Sequence, residues 1–471
     1  MITFAEIIEA TGGMASENLR GEIRGVSIDT RTLKAGEIYI AIKGPNYDGF
    51  DFCGEALSKG ASAVMVNKGS GNVAHRGGVV IAVEDTVRAL GDLGAFVRRS
   101  FKSPVVAVAG SCGKTTTKEM IASILSRDRS ILKTEGNRNN LIGLPLTLFG
   151  LSGGQSAAVV ELGISEPDEM ERLAEICSPD VALITNIKRA HMENFGTIES
   201  IGREKGMLYE LAKPSCVKVV NIDDPLAARA ADLGSLRRER REFVTFSTGR
   251  VADVRVIEER NLGGLDGVIV TFDVRGQVFD VRLRVPGLFN VANALAAIAS
   301  VLPLGVYLDD IRSGLEAFTG LGGRMEVTET GLITLIDDSY NANPDSLATA
   351  LETLGGTTGR KVAVIGEMCE LGEGSKSAHF DAGLLAARLG IDIVVAVGSR
   401  AAEVAGGAME GGIRDESVFA FKEKKEALSE LKGHILGNGD VVLVKASRAA
   451  GLDLIAEGLK SEGDASCEAC G

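Results

Sequence analysis

The chain reads as an α/β protein of more than one domain, and three observations lead there. It holds 471 residues, too many for one hydrophobic core when domains run to roughly 100–200 residues each. Short apolar runs bounded by glycine alternate with segments of helical period, as in parallel sheets covered on both faces. Glycine is abundant, 59 residues against 10 prolines with no three-residue period. Such glycines mark tight turns and close backbone approaches, not collagen or disorder.

Composition narrows function before any motif is read. Hydrophobic residues make up 45% and charged residues 24%, ordinary values for a soluble globular chain. Lys and Arg total 51 against 64 Asp and Glu, a net charge of −13. That balance repels phosphate backbones and argues against nucleic acid as a partner. The seven cysteines (Cys53, Cys112, Cys177, Cys216, Cys369, Cys467 and Cys470) are an odd number spread through the chain. They fit reduced thiols in a cytoplasmic protein, not a disulfide framework. Cys467 and Cys470 form a C-x-x-C, but no second pair or nearby histidine completes a zinc site. The N-terminus carries Glu6 and Glu9 and no basic segment, unlike a secretory signal. The uncharged stretch 285–308 contains Pro286, Asn290, Asn293, Ser300 and Pro303, all costly in hydrocarbon. A buried helix after a turn is expected there, and no membrane span.

Three regions follow in order. In residues 1–85, apolar runs at 38–42, 63–66 and 79–83 are strands between glycine-rich turns. Residues 86–319 begin with a helix at 87–100, then apolar runs at 105–109, 157–160, 181–184 and 217–222 with helical segments such as 167–176 between them. These strands end in polar residues: Glu161, Thr185-Asn186 and Asp223-Asp224. Residues 320–471 repeat the pattern, with strands ending in Asp337-Asp338, Gly366-Glu367, Gly398 and Lys445-Ala446-Ser447-Arg448. In open parallel sheets ligands bind beyond the carboxyl ends of the strands, so these polar ends are the first functional signal.

The strongest motif is Gly110-Ser111-Cys112-Gly113-Lys114-Thr115-Thr116, directly after a strand and before a helix. Small residues let backbone N–H groups converge on an anion, and the helix N-terminus adds positive potential. Lys114 would reach terminal phosphates and Thr115 would ligate Mg²⁺. The general motif wants glycine five positions before Gly113, where this chain has Val108. A GTPase would also want Asn-Lys-x-Asp, and Asn186-Ile187-Lys188-Arg189 lacks the Asp. A helicase or motor fits poorly with the acidic charge. Glu161 would hold a second Mg²⁺ or polarise a water, or else cap a helix in solvent. His191, in a polar loop, reads on its own as solvated, and Lys205 as a solvated helix lysine.

Taken together, several strings resemble the Mur ligase family, ATP-dependent amide-bond ligases. They are the Gly110–Thr116 loop, Glu161-Leu162-Gly163, Ala190-His191, Glu204-Lys205-Gly206, the run from Gly287 to Ala297, Gly323-Arg324 and Asp337-Asp338. The strings from Gly136 to Thr147 and from Asp337 to Ser346 resemble the branch that adds a dipeptide, and no Asp-Asn-Pro-Arg string of the sister branch occurs.

The resemblance implies three domains: residues 1–85 for a UDP-sugar, 86–319 as a P-loop ATPase domain, and 320–471 as a Rossmann-like domain for the incoming dipeptide. It implies D-alanyl-D-alanine joined to UDP-N-acetylmuramoyl-tripeptide through an acyl phosphate, with ATP and two Mg²⁺, in a cytoplasmic monomer. Lys114, Glu161, His191, Lys205 and Arg324 would be catalytic. Thr115, Glu161, His191 and Lys205 would surround the metals, Lys205 matching the family's carbamylated lysine. ATP would meet residues Gly110 to Thr116, Asn290 and Asn293 for the adenine, Arg324 for the γ-phosphate, and Asp338 for the ribose. Read as residues, Asn290 also suits a helix cap, and Asp337 a strand-end cap better than Asp338. The UDP-sugar would meet Ser27, Asp29, Thr30, Arg31, Lys43, Gly44 and Asp48; relatives often have His where this chain has Phe50, which is left out. Asn137, Asn139 and Asn140 would line the peptide end. Tyr340, Asn341, Asn343, Lys445, Ser447 and Arg448 would form the dipeptide pocket, although the last three would be unremarkable as a basic surface cluster. Two other functions remain in view: a sister ligase adding a single amino acid, and a nucleotide-binding scaffold that turns nothing over.

Overall fold

The computed structural model describes residues 2–16, 20–70, 79–239, 241–262 and 265–465; Cys467 and Cys470 lie outside them. Besides a two-stranded ladder that pairs Ile2–Thr3 with Glu22–Ile23, three larger sheets follow one another along the chain. The first has strands β1 (Met14–Ala15), β2 (Val26–Ser27), β3 (Ile38–Ile40), β4 (Ala63–Asn67) and β5 (Val80–Val83), in the order β1-β5-β4-β3-β2. Helix α1 (Thr86–Ser100) follows, capped by the Asp85 side chain. Its Ala89, Leu90 and Leu93 lie in the core of the first sheet with Ile142 and Leu146 from beyond. The expected boundary at 85/86 thus falls at the head of a helix whose apolar face covers the N-terminal sheet.

The central sheet has nine strands. They are β6 (Val105–Ala109), β7 (Ile131–Lys133), β8 (Ala157–Glu161), β9 (Val181–Ile184), β10 (Val217–Asn221), β11 (Phe243–Ser247), β12 (Val254–Asn261), β13 (Val268–Val274) and β14 (Gln277–Leu283). The order is β14-β13-β12-β11-β10-β9-β6-β8-β7. From β7 to β12 neighbours run parallel, as the continuous apolar runs require. The sheet then continues into an antiparallel meander, β12 to β14, with a bulge between Val256 and Glu258. The sequence reading found no signal for that meander; its tight turn at Arg275-Gly276, both at positive φ, closes a hairpin with two residues.

Apolar clusters lie on both faces of the central sheet. Helix α2 (Lys114–Leu125) packs on one face beside α3 (Phe289–Val301), the helix expected from the uncharged stretch. Eleven residues of α3 are buried. Among the described residues no helix is long and apolar enough to cross a membrane. Helix α4 (Leu308–Ala317) crosses α2 closely: a Cβ on Gly314 would lie 2.4 Å from Ile124 Cα.

The third sheet has strands β15 (Glu326–Glu329), β16 (Ile333–Asp338), β17 (Lys361–Ile365), β18 (Ile393–Val397), β19 (Val418–Phe421) and β20 (Asp440–Lys445), ordered β15-β16-β20-β17-β18-β19. All but the β15–β16 pair are parallel. The loop after β17 is pinned by buried His379, whose Nε2 accepts from Met368 N–H at 2.9 Å while Nδ1 lies 2.7 Å from Ser375 O. Those partners select the neutral ring with its proton on Nδ1, and burial lowers the pKa from 6.5.

Two outcomes follow from this packing. Gly314→Ala forces α4 away from the P-loop helix and should cost about 1–3 kcal/mol, read as a lower thermal midpoint. His379 resists protonation in the folded state, so its contribution is present above 6.5 and lost as pH falls through the lowered folded value. Denaturation midpoints should therefore fall on acidification below 6.5, and His379→Gln, which has no charged form, should flatten that slope.

Candidate active site

The carboxyl ends of the central and third sheets open into one cleft of about 530 Å³. The loop from Gly110 to Gly113 follows β6, and two glycines make its shape obligatory. A Cβ on Gly110, at φ 144°, would lie 2.0 Å from Thr185 Oγ1, and one on Gly113, at φ 80°, would lie 2.3 Å from Asn293 Oδ1. Gly113 is also the N-cap of α2, with no capping side chain. The first amides of the helix therefore lack internal partners and face the cleft. The loop is fastened to the end of β9: Cys112 N–H donates to Asn186 Oδ1, while Thr185 Oγ1 and Asn186 Nδ2 donate to Cys112 O. Val108, where the general motif has glycine, is buried in β6. Lys114 Nζ donates to Gly110 O at 2.9 Å and Ser111 O at 3.3 Å. Burial lowers the Lys114 pKa, and the Glu161 carboxylate works against that shift.

Glu161 ends β8 only 2% exposed, which excludes the solvated or capping role open to it as a bare residue. Its N–H donates to Thr134 Oγ1 at 3.0 Å, and Oε1 accepts from Asn139 Nδ2 at 2.8 Å. Oε2 is buried with no hydrogen-bond partner. Lys205 is likewise 2% exposed, so the reading of a solvated helix lysine is corrected: α5 (Ile198–Glu210) turns that side toward the core. Burial first, and then Lys114, bring its pKa down to about 7. His191 sits at φ 55° in the cleft wall. Its Nδ1 lies 2.5 Å from Glu370 Oε2 but out of line for a directed hydrogen bond, so the contact is an ion pair when the ring is protonated. The imidazole holds the Glu370 carboxyl below its ordinary range. His191 is thus held in the wall and not free in solvent.

Asn290 does not cap α3. Its Nδ2 donates to Pro286 O at 2.7 Å and its Oδ1 accepts from Asn293 Nδ2 at 3.0 Å. Asn293 Oδ1 in turn accepts from Thr117 Oγ1, so this pair also supports the P-loop from beneath. The third sheet supplies the opposite wall. Arg324 stacks on Tyr340 with its guanidinium carbon 3.9 Å from the ring centroid, and Arg448 approaches the same ring at 5.5 Å. Asp338 is partly buried against Lys445; desolvation raises its pKa and Lys445 opposes the rise. Asp337 takes the strand-end role, accepting from the Ser339 hydroxyl at 2.6 Å and from Lys460 at 2.8 Å. Lys445 is buried, unlike a surface cluster residue, whereas Arg448 is open. Ser447 lies beneath the wall, donating to Ala342 O and accepting from Cys369 N–H. Asn341 lines the cleft, and Asn343 caps the next helix while its amide touches Cys112 Sγ.

Asn137, Asn139 and Asn140 line the same cleft, Asn140 accepting the N–H groups of Ile142 and Gly143. The N-terminal candidates do not line it. Asp29 binds Arg31 through both oxygens, Ser27 Oγ closes a turn onto Asp29, Thr30 O accepts from Lys59, and Lys43 and Gly44 sit in the turn ended by Asp48. Sequence reasoning passed over Thr134, Thr185, Asn186 and Glu370 as site residues. The polar end of β9 was a signal for two of them; Glu370, in a loop at φ 64°, had none.

Among the described residues no cluster of three His, Cys, Asp or Glu side chains could hold a metal unaided. Mg²⁺ does not need one, because it is commonly held by one or two carboxylates together with phosphate oxygens and water. The unpartnered Glu161 Oε2 fits that role.

Family models match most of the chain: the Mur ligase family catalytic domain over residues 22–98, the Mur ligase middle domain over 108–301, and the Mur ligase glutamate ligase domain over 323–448. The UDP-N-acetylmuramoyl-tripeptide–D-alanyl-D-alanine ligase of Escherichia coli K12 is 33% identical over 97% of this chain and 100% of its own length. The Bacillus subtilis protein of that name is 34% identical over 93% of each. The crystal structure of MurF from Acinetobacter baumannii superposes with a TM-score of 0.88 at 32% identity, covering 98% of this chain and 99% of that one. MurF ligase from Thermotoga maritima, solved in complex with ADP, gives 0.81 at 30% identity, covering 94% and 98%. The chain therefore belongs to the Mur ligase family and is an ADP-forming ligase.

Proposed function

We propose that this enzyme joins D-alanyl-D-alanine to UDP-N-acetylmuramoyl-tripeptide at the expense of ATP, forming ADP and phosphate. The observation that carries the reading is the one cleft that Lys114 and Glu161 share with Arg324, Tyr340, Asn341 and Arg448 of the other wall. Full-length relatives bear that activity in their names.

The terminal carboxylate of the tripeptide attacks the γ-phosphorus, the bond to the β-phosphate oxygen breaks, and ADP leaves. The dipeptide amine then adds to the acyl carbon, loses a proton, and the tetrahedral intermediate expels phosphate. The first step brings anion to anion, so positive charge must be in place beforehand. Lys114, the amides at the head of α2 and Arg324 supply it from the protein. Mg²⁺, when bound near Thr115, Glu161 and His191, adds Lewis-acid charge neutralisation at the phosphates. Asn290 and Asn293 face the adenine, Asp338 the ribose, and Asn137, Asn139 and Asn140 the peptide end. The N-terminal turn from Ser27 to Arg31 and the 43–48 turn hold the UDP-sugar at a distance from the chemistry.

Lys205 acts as a carbamate in this scheme. Support comes from its burial, a pKa near 7, and the lack of an ion pair to it among the described residues. A neutral amine is the form that adds CO₂, and the resulting anion would face Lys114 and Mg²⁺ favourably. In this scheme the enzyme works as a cytoplasmic monomer.

Phosphate release with ATP, Mg²⁺ and UDP-muramoyl-tripeptide should depend on D-alanyl-D-alanine, with a product heavier by the dipeptide less water. Dependence on a single amino acid instead would move the enzyme to a sister ligase, and ATP binding without acceptor-dependent turnover would leave only a scaffold. Lys114→Ala should lower turnover by at least ~10², the scale for losing one preorganised charge donor. With ¹³C-bicarbonate, a carbamate carbon resonance should appear in the wild type and be missing in Lys205→Arg; identical spectra would remove the carbamate from the scheme.

A further inference from the structure

Lys118 is 1% exposed on α2, one turn beyond the phosphate loop. Its ammonium donates to Thr134 O and pairs with Glu119 Oε1 at 2.7 Å, while the other Glu119 oxygen takes Lys133 at 2.7 Å. Burying an ammonium is costly, and an apolar side chain of similar length would fill the space more cheaply. The bonds that the charge makes are therefore the place to look for its use.

Thr134 follows β7, which has three residues and pairs only with β8 at the edge of the central sheet. So short a ladder fixes the following loop weakly. The fully buried Thr134 adds three fastenings. Its N–H donates to Val159 O at 3.0 Å, its carbonyl accepts from Lys118, and its hydroxyl accepts from Glu161 N–H at 3.0 Å. Beyond it, Asn139 Nδ2 holds Glu161 Oε1 at 2.8 Å and leaves Oε2 unpartnered. An unbroken relay thus runs from the phosphate-loop helix through Lys118 and Thr134 to the Glu161 main chain.

We propose that Lys118 and Thr134 are positioning residues that fix the Glu161 carboxylate relative to the phosphate cradle, setting the gap that a divalent cation must span. The proposal rests on the reading of Glu161 as a Mg²⁺ residue. Lys118 does not line the cleft; it acts through Thr134.

The test uses the full-length enzyme and four variants: Lys118→Met, Thr134→Val, and the conservative Lys118→Arg and Thr134→Ser. ADP affinity is measured by calorimetry across a Mg²⁺ titration, beside the Mg²⁺ dependence of phosphate release and the thermal midpoint. Lys118→Met and Thr134→Val should raise half-saturating Mg²⁺ by about 10–100-fold, the usual cost of losing a partner that orients a metal ligand. ADP affinity without Mg²⁺ should stay at the wild-type value, and Thr134→Ser and Lys118→Arg should recover most of the Mg²⁺ affinity. A wild-type Mg²⁺ half-point in Thr134→Val, whatever its thermal midpoint, overturns the proposal by reducing the relay to a stabilising contact. If Lys118→Met does not fold, Thr134→Val decides alone. A wild-type enzyme that binds Mg-ADP but never couples turnover to the dipeptide would sink the reaction assigned above, and the calorimetric arm would still judge the relay.

Discussion

Desolvation is the constraint that the rest of the site answers: Lys114 lines the cleft, and Lys205, buried on the helix Ile198–Glu210, feels its charge. Lys205 is driven toward its neutral form by burial and then by Lys114, and Lys114 is itself desolvated. Charge held in such surroundings acts more strongly on a phosphate than charge in water, because the screening solvent is already excluded. Glu161 is the counterweight: it opposes the shift at Lys114 and so favours the charged ammonium. The glycines of the loop serve the same end, since any Cβ at Gly110 or Gly113 would collide with the groups that hold the loop.

The third sheet brings the cleft its other half, and it does so through contacts at the loop itself. The Asn343 amide meets Cys112 Sγ, Arg189 N–H donates to Asp345 at 3.2 Å, and Glu193 N–H donates to Glu370 O at 3.2 Å. Strand ends of both sheets therefore point at one space, with Glu161, Asp338 and Lys445 at the last registered positions of their strands. In the proposed reaction such an arrangement would shield the acyl phosphate from water between its formation and its capture.

Much of this was legible in the sequence because it is local. The phosphate loop lies between strand and helix within a dozen residues, and the polar strand ends at Glu161, Thr185-Asn186 and Asp337-Asp338 follow apolar runs. What stayed hidden depends on which way a helix or loop faces after packing. Lys205 and Lys118 look like ordinary helix lysines until α5 and α2 are laid on the sheet. Glu370 reaches His191 across more than a hundred and fifty residues of chain, and no periodicity reports such a meeting. The antiparallel meander after β11 went unread for a related reason: its strands continue a sheet whose other members are parallel.

Tyr340 gives the cleft its last constraint. Two guanidiniums lie against one ring, at 3.9 and 5.5 Å. A carboxylate partner would hold an arginine by neutralising it, whereas an aromatic face holds it while leaving the in-plane N–H groups to bind an anion. In the proposed reaction Arg324 is thus kept in place and still offers its charge to a transferring phosphate, whereas Arg448 is held besides by Asp453, 3.2 Å from its Nη1. Because both rest on the same ring, a shift of one guanidinium moves the surface on which the other lies. In the proposed reaction Tyr340 is the one ring on which the arginine meant for the phosphate and the arginine nearest the amine both rest.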